Sequence, residues 1–295
     1  MKKLVSGVIP PVITTFDKDG NFDEKAQREV LNFLIPHIGG LYPTGTYGSG
    51  PLMSNDERKK VAEVIVDEVN GRVPVILHVG TANTRDAVDL AKHAETIGAS
   101  AVASIPPWYY KYPEGDIMNY FRAIMKAVKI PVLAYNNPGA AGNALTVAMV
   151  KTLAEEGLAG LKDSAFDLVT FMKFLTGVDT PGFLHIPGTE AIAAPAIQAG
   201  ADAVVSGLAN GWPEIMAELW ETLQRNDGRE IGAAQLRVIM AREVMKSAPT
   251  LVVCYEVLRM RGVNAGYPRL PYSMLSDEKR ASIKKAFGDM GMKFA

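Results

Sequence analysis

Short apolar runs rich in β-branched residues alternate along this chain with longer stretches in which apolar residues recur every three to four positions. The first pattern predicts strands and the second helices, and their regular alternation predicts parallel strands joined by helical crossovers. The runs are Val8 to Phe16, Gly39 to Pro43, Pro74 to Val79, Ala101 to Ile105, Pro131 to Asn136, Leu158 to Lys162, Phe183 to Ile186 and Ala203 to Ser206, eight in all. Helices are expected near residues 23–36, 54–69, 84–97, 114–128, 145–155, 167–176, 190–199 and 212–224. Their starts carry caps: Ser54 is followed three residues later by Glu57, the capping-box spacing, and Thr84 opens a helix ahead of Arg85 and Asp86.

Eight strand-plus-helix units match an α/β fold of the (β/α)8 TIM barrel type, in which the closed sheet leaves no edge. An open doubly wound sheet fits less well, because the count is eight and no glycine-rich dinucleotide fingerprint follows the first run. Beyond about residue 226 the pattern changes to helical periods at 228–247, 250–261 and 276–288 with no strand between them. Residues 1–225 are therefore read as the barrel and 226–295 as a C-terminal helical bundle packed on it, with no low-complexity linker.

Composition narrows the function. With 48% hydrophobic and 21% charged residues, the chain has the makeup of a folded globular protein. A formal charge of -1 lacks the basic excess that a phosphate backbone demands, so nucleic acid is not an expected partner. The single cysteine, Cys254, excludes an intrachain disulfide and a zinc–thiolate cluster, and fits a reducing, cytoplasmic setting. The start Met1-Lys2-Lys3-Leu4-Val5-Ser6-Gly7 runs into prolines and charges, and no apolar stretch approaches the roughly 18 residues of a membrane span. Neither a signal peptide nor a membrane partner is expected.

In such a barrel the active site lies at the C-terminal ends of the strands. Among the eight runs only one contains a lysine, Lys162, late in the sixth. Taking an ammonium out of water costs several kcal/mol, so a lysine placed there asks for a reason. Asp163 is a poor ion-pair partner, since neighbours on a strand point to opposite faces. A dry site lowers the amine pKa and lets a neutral fraction attack a carbonyl to form a Schiff base. Lowering it from about 10.4 to about 7 takes on the order of 4 to 5 kcal/mol. Imine chemistry also needs a proton shuttle, and Tyr135, at the end of the neighbouring run, is the candidate. A 2-keto acid brings a carboxylate as well. The segment Pro43 to Gly50 carries Gly45, Gly48 and Gly50, which permit turns that aim successive backbone N–H groups at an anion.

These residues resemble the dihydrodipicolinate synthase and N-acetylneuraminate lyase family of Schiff-base aldolases. The likeness runs from Gly7-Val8-Ile9-Pro10 and Thr14-Thr15-Phe16, through Gly45-Thr46-Tyr47-Gly48, Leu52-Met53-Ser54 and Glu57-Arg58, to Tyr135-Asn136-Asn137-Pro138, Gly160-Leu161-Lys162-Asp163-Ser164 and Ser206-Gly207-Leu208-Ala209-Asn210. It implies a pyruvate-type 2-keto acid held as an imine on Lys162, with Tyr135 as proton relay and Thr46 and Tyr47, beside Gly48, receiving its carboxylate. Gly188 and Val205 resemble the family's pocket-lining positions. Pro106-Pro107-Trp108-Tyr109-Tyr110 resembles a segment that carries a relay tyrosine across a subunit interface, with Tyr109 as the matching residue. The resemblance further implies a homotetramer, small-molecule 2-keto acid and aldehyde partners, and no cofactor.

Departures bear on the substrate. Ala140 stands where dihydrodipicolinate synthases carry an arginine for the aldehyde substrate, and an alanine has no guanidinium fork. Tyr47 replaces a second threonine, and Ser49 stands where many members have glutamate. The expected activity is therefore that of a lyase or aldolase cleaving, condensing or dehydrating a 2-keto-3-deoxy sugar acid or similar compound. The alternatives are a dihydrodipicolinate synthase or a non-catalytic keto-acid sensor. His37, His78, His93 and His185 give no convergent set for a metal. His78 and His185 are expected in the core or pocket, His185 with some prospect of touching substrate. Gly188-Thr189 and Ser206-Gly207 sit where many barrels bind phosphate, but no arginine or lysine lies nearby in sequence. Met240 and Met245 read as core filler.

Overall fold

The computed structural model describes residues 4–226 and 228–294, so the reading of Met1, Lys2 and Lys3 lies outside the described residues. Among the described residues seven short strands are present: β1 (Gly7–Ile9), β2 (Ile76–His78), β3 (Ala101–Ser104), β4 (Val132–Asn136), β5 (Gly160–Asp163), β6 (Leu184–Pro187) and β7 (Ala203–Val205). All pair in parallel, β2 through β6 in sequence order and β1 with β7. Residues 39–43, expected as a strand, form an extended segment that completes the ring without regular pairing. Leu41 bridges Val75 in parallel. On one side Gly39 N–H donates to Val8 O at 2.8 Å, and on the other Ile76 N–H donates to Leu41 O at 2.9 Å. Two glycines and Pro43, which has no N–H to give, explain the weak ladder. Between β6 and β7 the ring is joined by Asp202 N–H donating to His185 O at 3.0 Å. The fold is the (β/α)8 barrel.

The crossover helices fall where the apolar period placed them, among them Glu24–Leu34, Asn55–Val69, Thr84–Thr96, Glu114–Ala127, Val147–Glu155, Leu168–Gly177 and Pro213–Arg225. Ser54 and Glu57 make both halves of the capping box. At the next helix the cap is Asn83, not Thr84: the Asn83 side-chain oxygen accepts from Asp86 N–H at 2.9 Å, and Thr84 is already helical. The expected 190–199 helix divides into a 3-10 turn, Glu190–Ile192, and a short helix, Ala193–Gln198. A four-residue helix, Pro138–Ala141, was not foreseen. Asn137 caps it, Pro138 opens it, and Gly142 ends it in the left-handed region.

Helices Gly228–Met245, Thr250–Met260 and Asp277–Asp289 follow the barrel. Two apolar clusters organise the molecule. One lies inside the ring, with Ile9, Ile76, Ala103, Leu133, Ile186 and Val205 drawn from every strand but β5. The other lies between strands and helices and continues into Ile231, Val238, Ala241, Met245 and Phe287 of the C-terminal helices. Met245 is core, as expected, but Met240 is 56% exposed, because Val238, Ala241 and Met245 fix the buried face of their helix and Met240 falls off it. No helix among the described residues is long and apolar enough to cross a membrane.

Candidate active site

At the C-terminal ends of the strands opens a cavity of about 170 Å³. Its centre is the β4–β5 pair. Tyr135 and Lys162 are register partners, so their side chains emerge from one row of the sheet on the same side. Lys162 is 4% exposed and stands with Nζ 3.8 Å from the centre of the Tyr135 ring and 4.2 Å from that of Tyr42. The next row points the other way: Asn136 Nδ2 donates to Asp163 Oδ1 at 2.7 Å, which holds that carboxylate away from the lysine. Among the described residues Lys162 forms no ion pair with a carboxylate. Burial pushes its amine below the ordinary lysine value, against a smaller opposing pull from Tyr135.

Burial pushes the Tyr135 phenol up, but the Lys162 charge, while it persists, and hydrogen bonds with Thr46, Asn137 and Ser164 outweigh it and bring the phenol below the usual tyrosine range. The pair can thus share one proton, which sits on the phenol when the amine is neutral and on the amine when the phenol is ionised. Asn137 Nδ2 donates to Tyr135 Oη at 2.9 Å. Asn137 and Ser164 each follow their catalytic candidate by two residues. That strand period is a signal by which the sequence could have revealed them.

The loop after the 39–43 segment brings Thr46 and Tyr47 to the cavity. Among the described residues neither backbone N–H donates to a protein acceptor. Burial drives the Tyr47 phenol well above its ordinary value, with Cys254 and Glu190 adding to the effect and a hydrogen bond from Thr250 opposing it. Its hydroxyl lies over Gly207, where an added Cβ would come within 2.5 Å of it. Gly188 and Val205 also line the cavity. A Cβ at Gly188 would approach Ser164 Oγ to 2.0 Å, so only glycine leaves that hydroxyl in place.

Two expected residues are not brought there. Gly48 lies behind the loop with its carbonyl accepting from Thr14 Oγ1 at 2.7 Å, and it does not line the cavity. Tyr109 is 86% exposed, stacked edge-on to Tyr110 at 5.0 Å, and within one chain it does not reach the site. The histidines disperse. His78 is buried under the site with its ring 5.9 Å from that of Tyr135, and burial, with Arg58 and Lys162 nearby, pushes its imidazole well below the usual range. His185 points away from the cavity: Nε2 meets Val178 O at 2.9 Å and the ring packs against Phe183, so it does not touch the substrate space. His93 pairs with Glu63 on the outer surface.

The wall opposite the strands was not read from the sequence. Glu190, buried after β6, takes Gly207 N–H on Oε2 at 3.1 Å and Arg242 Nε on Oε1 at 3.1 Å. Arg242, Met245 and Lys246, from helix Gly228–Met245 and its end, line the same cavity. The sequence placed no arginine or lysine near Gly188-Thr189 because these cations lie far along the chain, and only the packing of the C-terminal helix on the barrel brings them in.

Residues 4–289 match the model of the Dihydrodipicolinate synthetase family. The chain is 34% identical over 289 residues to an uncharacterized DapA-like lyase of Halobacterium salinarum, covering 97% of this chain and 94% of that one. It is 35% identical over 232 residues, 77% of each chain, to a probable 2-dehydro-3-deoxy-D-pentonate aldolase, YjhH, of Escherichia coli. Among solved structures it is similar to YagE of Escherichia coli in complex with pyruvate, with a TM-score of 0.94, 27% identity and coverage of 98% and 99%.

Proposed function

The chain belongs to the Dihydrodipicolinate synthetase family, and from that premise we propose that it is a Schiff-base-forming lyase of the class I aldolase type. It acts on pyruvate or a related 2-keto acid, cleaving, condensing or dehydrating a 2-keto-3-deoxy sugar acid or similar compound. The observation that carries the reading is Lys162: a buried amine with no carboxylate partner among the described residues, facing Tyr135 across one row of the sheet. The neutral Nζ adds to the C2 ketone of the keto acid. Tyr135 passes a proton to the carbinolamine hydroxyl, which leaves as water, and the iminium forms. The iminium then draws in the electrons of the C3–C4 bond while the C4 hydroxyl gives its proton to the Tyr135 oxygen, releasing an aldehyde and leaving an enamine. Protonation at C3 and hydrolysis return the keto acid and the free amine. The unengaged N–H groups of Thr46 and Tyr47 suit the substrate carboxylate, with Gly188 and Val205 shaping the space beside it.

Synthesis of dihydrodipicolinate is the less supported reading, since Ala140 is exposed on the short Pro138–Ala141 helix and brings no guanidinium to the cavity. The exposed Tyr109 and Tyr110 pair supports a homotetramer in which Tyr109 of one copy serves a neighbour's site. A cytoplasmic location accords with the lone buried thiol. The test is incubation with pyruvate and borohydride followed by peptide mass mapping. The expected adduct is on Lys162, and its absence refutes the proposal. Turnover of a panel of sugar acids then separates an enzyme from a sensor that captures the keto acid without processing it.

A further inference from the structure

We infer that the outer part of the cavity is a subsite for an anionic group at the far end of the substrate, read by Lys246 with Arg242 beside it. This rests on the aldolase reading above and narrows its substrate class. The cavity runs from Lys162, 4% exposed at its floor, to Lys246, exposed at its rim. Arg242 and Lys246 are one helical turn apart, so both project to the same side. Among the described residues the only carboxylate in the lining is Glu190, and Arg242 already neutralises it. Lys246 forms no ion pair among the described residues, so with the Lys162 amine neutral the lining carries one uncompensated positive charge.

Arg242 is also held in place. Its Nε is fixed by Glu190 at 3.1 Å and its Nη1 by Glu243 at 3.0 Å, which leaves Nη2 without a protein acceptor among the described residues. A preset guanidinium edge next to a free ammonium suits a phosphate or a carboxylate, because donors that cannot accept select an oxyanion over an alcohol. An open-chain 2-keto-3-deoxy acid anchored at C2 by Lys162 would extend its last carbon toward this rim.

The experiment compares three acids that share the 2-keto-3-deoxy head and end in a primary alcohol, a phosphate ester or a carboxylate. For the native enzyme, kcat/KM is expected to be about tenfold higher for one of the two anionic acids than for the alcohol, and whichever it is identifies the anion. Lys246→Met should remove about that factor through KM for the anionic acid and leave the alcohol within about twofold, and Lys246→Arg should restore it. Equal or better turnover of the alcohol, or a Lys246→Met loss that falls alike on all three acids, overturns the subsite. Borohydride trapping of pyruvate is measured in parallel on both proteins. Trapping that survives while the preference fails rejects the subsite alone, and failure of trapping in the native chain rejects the aldolase reading with it.

Discussion

Arg58 and Lys162 are buried to the same degree, each 4% exposed, in two regions of one barrel, yet their surroundings give them opposite roles. Arg58 reaches in from helix Asn55–Val69 and donates from Nη2 to His78 O at 2.6 Å and from Nη1 to Gly80 O at 2.9 Å. Burial brings its guanidinium down to about 10, with Tyr120 opposing slightly, so it remains charged at neutral pH and ties the end of β2 to the helix. Lys162 meets the faces of the Tyr42 and Tyr135 rings and, among the described residues, no backbone carbonyl. Ring faces favour a cation by only about 1–2 kcal/mol, less than the desolvation they accompany. Burial alone therefore does not make a nucleophile. An amine becomes one where the protein withholds the acceptors that would keep it protonated.

The largest effect expected from this contrast comes from exchanging each cation for methionine. Lys162→Met removes the imine nitrogen, and kcat should fall by at least about 10⁴-fold while thermal stability holds or rises, because an unpaired buried amine is replaced by an apolar chain of similar length. Arg58→Met should do the reverse: a loss of about 1–3 kcal/mol in stability, since Gly80 O is left without this donor and His78 O keeps only Thr44 Oγ1, with borohydride trapping on Lys162 retained. Thermal denaturation and steady-state rates on both variants decide it. If Lys162→Met were the destabilised one, the lysine would be a structural brace.

Tyr135→Phe comes next. It keeps the ring face and removes the hydroxyl, so about 10²–10⁴-fold should be lost from kcat, with pyruvate still trapped, more slowly, on Lys162. A change below about threefold would assign the proton relay elsewhere.

A smaller, graded effect is expected in the pH dependence. The Lys162 pKa is lowered in the folded chain, so the acid limb of kcat/KM should sit below the ordinary lysine value of about 10.4. Between the folded pKa and that value the unfolded chain binds a proton that the folded chain does not. Stability should therefore rise with pH through that window, and the slope should be absent in Lys162→Met. Arg58→Met should leave the slope intact.

What the sequence made legible follows the same division. Lys162 stood out because a lysine inside an apolar run has no ordinary explanation, and Tyr135 because adjacent runs become adjacent strands. Tyr42 was hidden, since an aromatic in an apolar run reads as core whether or not it faces an amine. The Glu190–Arg242 pair and Lys246 depend on how the C-terminal helix docks on the barrel, and no local pattern encodes that contact. Asn83 in place of Thr84 and the irregular 39–43 segment are one-residue and one-strand shifts of the kind that tertiary hydrogen bonds decide.

The smallest expected effect isolates what positions the relay rather than what performs it. Asn137 Nδ2 donates to Tyr135 Oη at 2.9 Å, and its side-chain oxygen faces Ala140 N–H at 3.3 Å as the cap of the Pro138–Ala141 helix. Both contacts orient the phenol toward Lys162 without touching the nitrogen. Asn137→Ala should lower kcat by about three- to tenfold, close to one neutral hydrogen bond of about 0.5–1.5 kcal/mol. It should also move the tyrosine limb of the pH profile upward, since one of the bonds that lowers the phenol is gone. Asn137→Asp keeps the cap and replaces the donor by an acceptor, so it should move that limb further. A loss of activity with no movement of the limb in either variant would mean that Asn137 holds the loop and not the proton, and the contrast between the two buried cations would then rest on Lys162 and its ring faces alone.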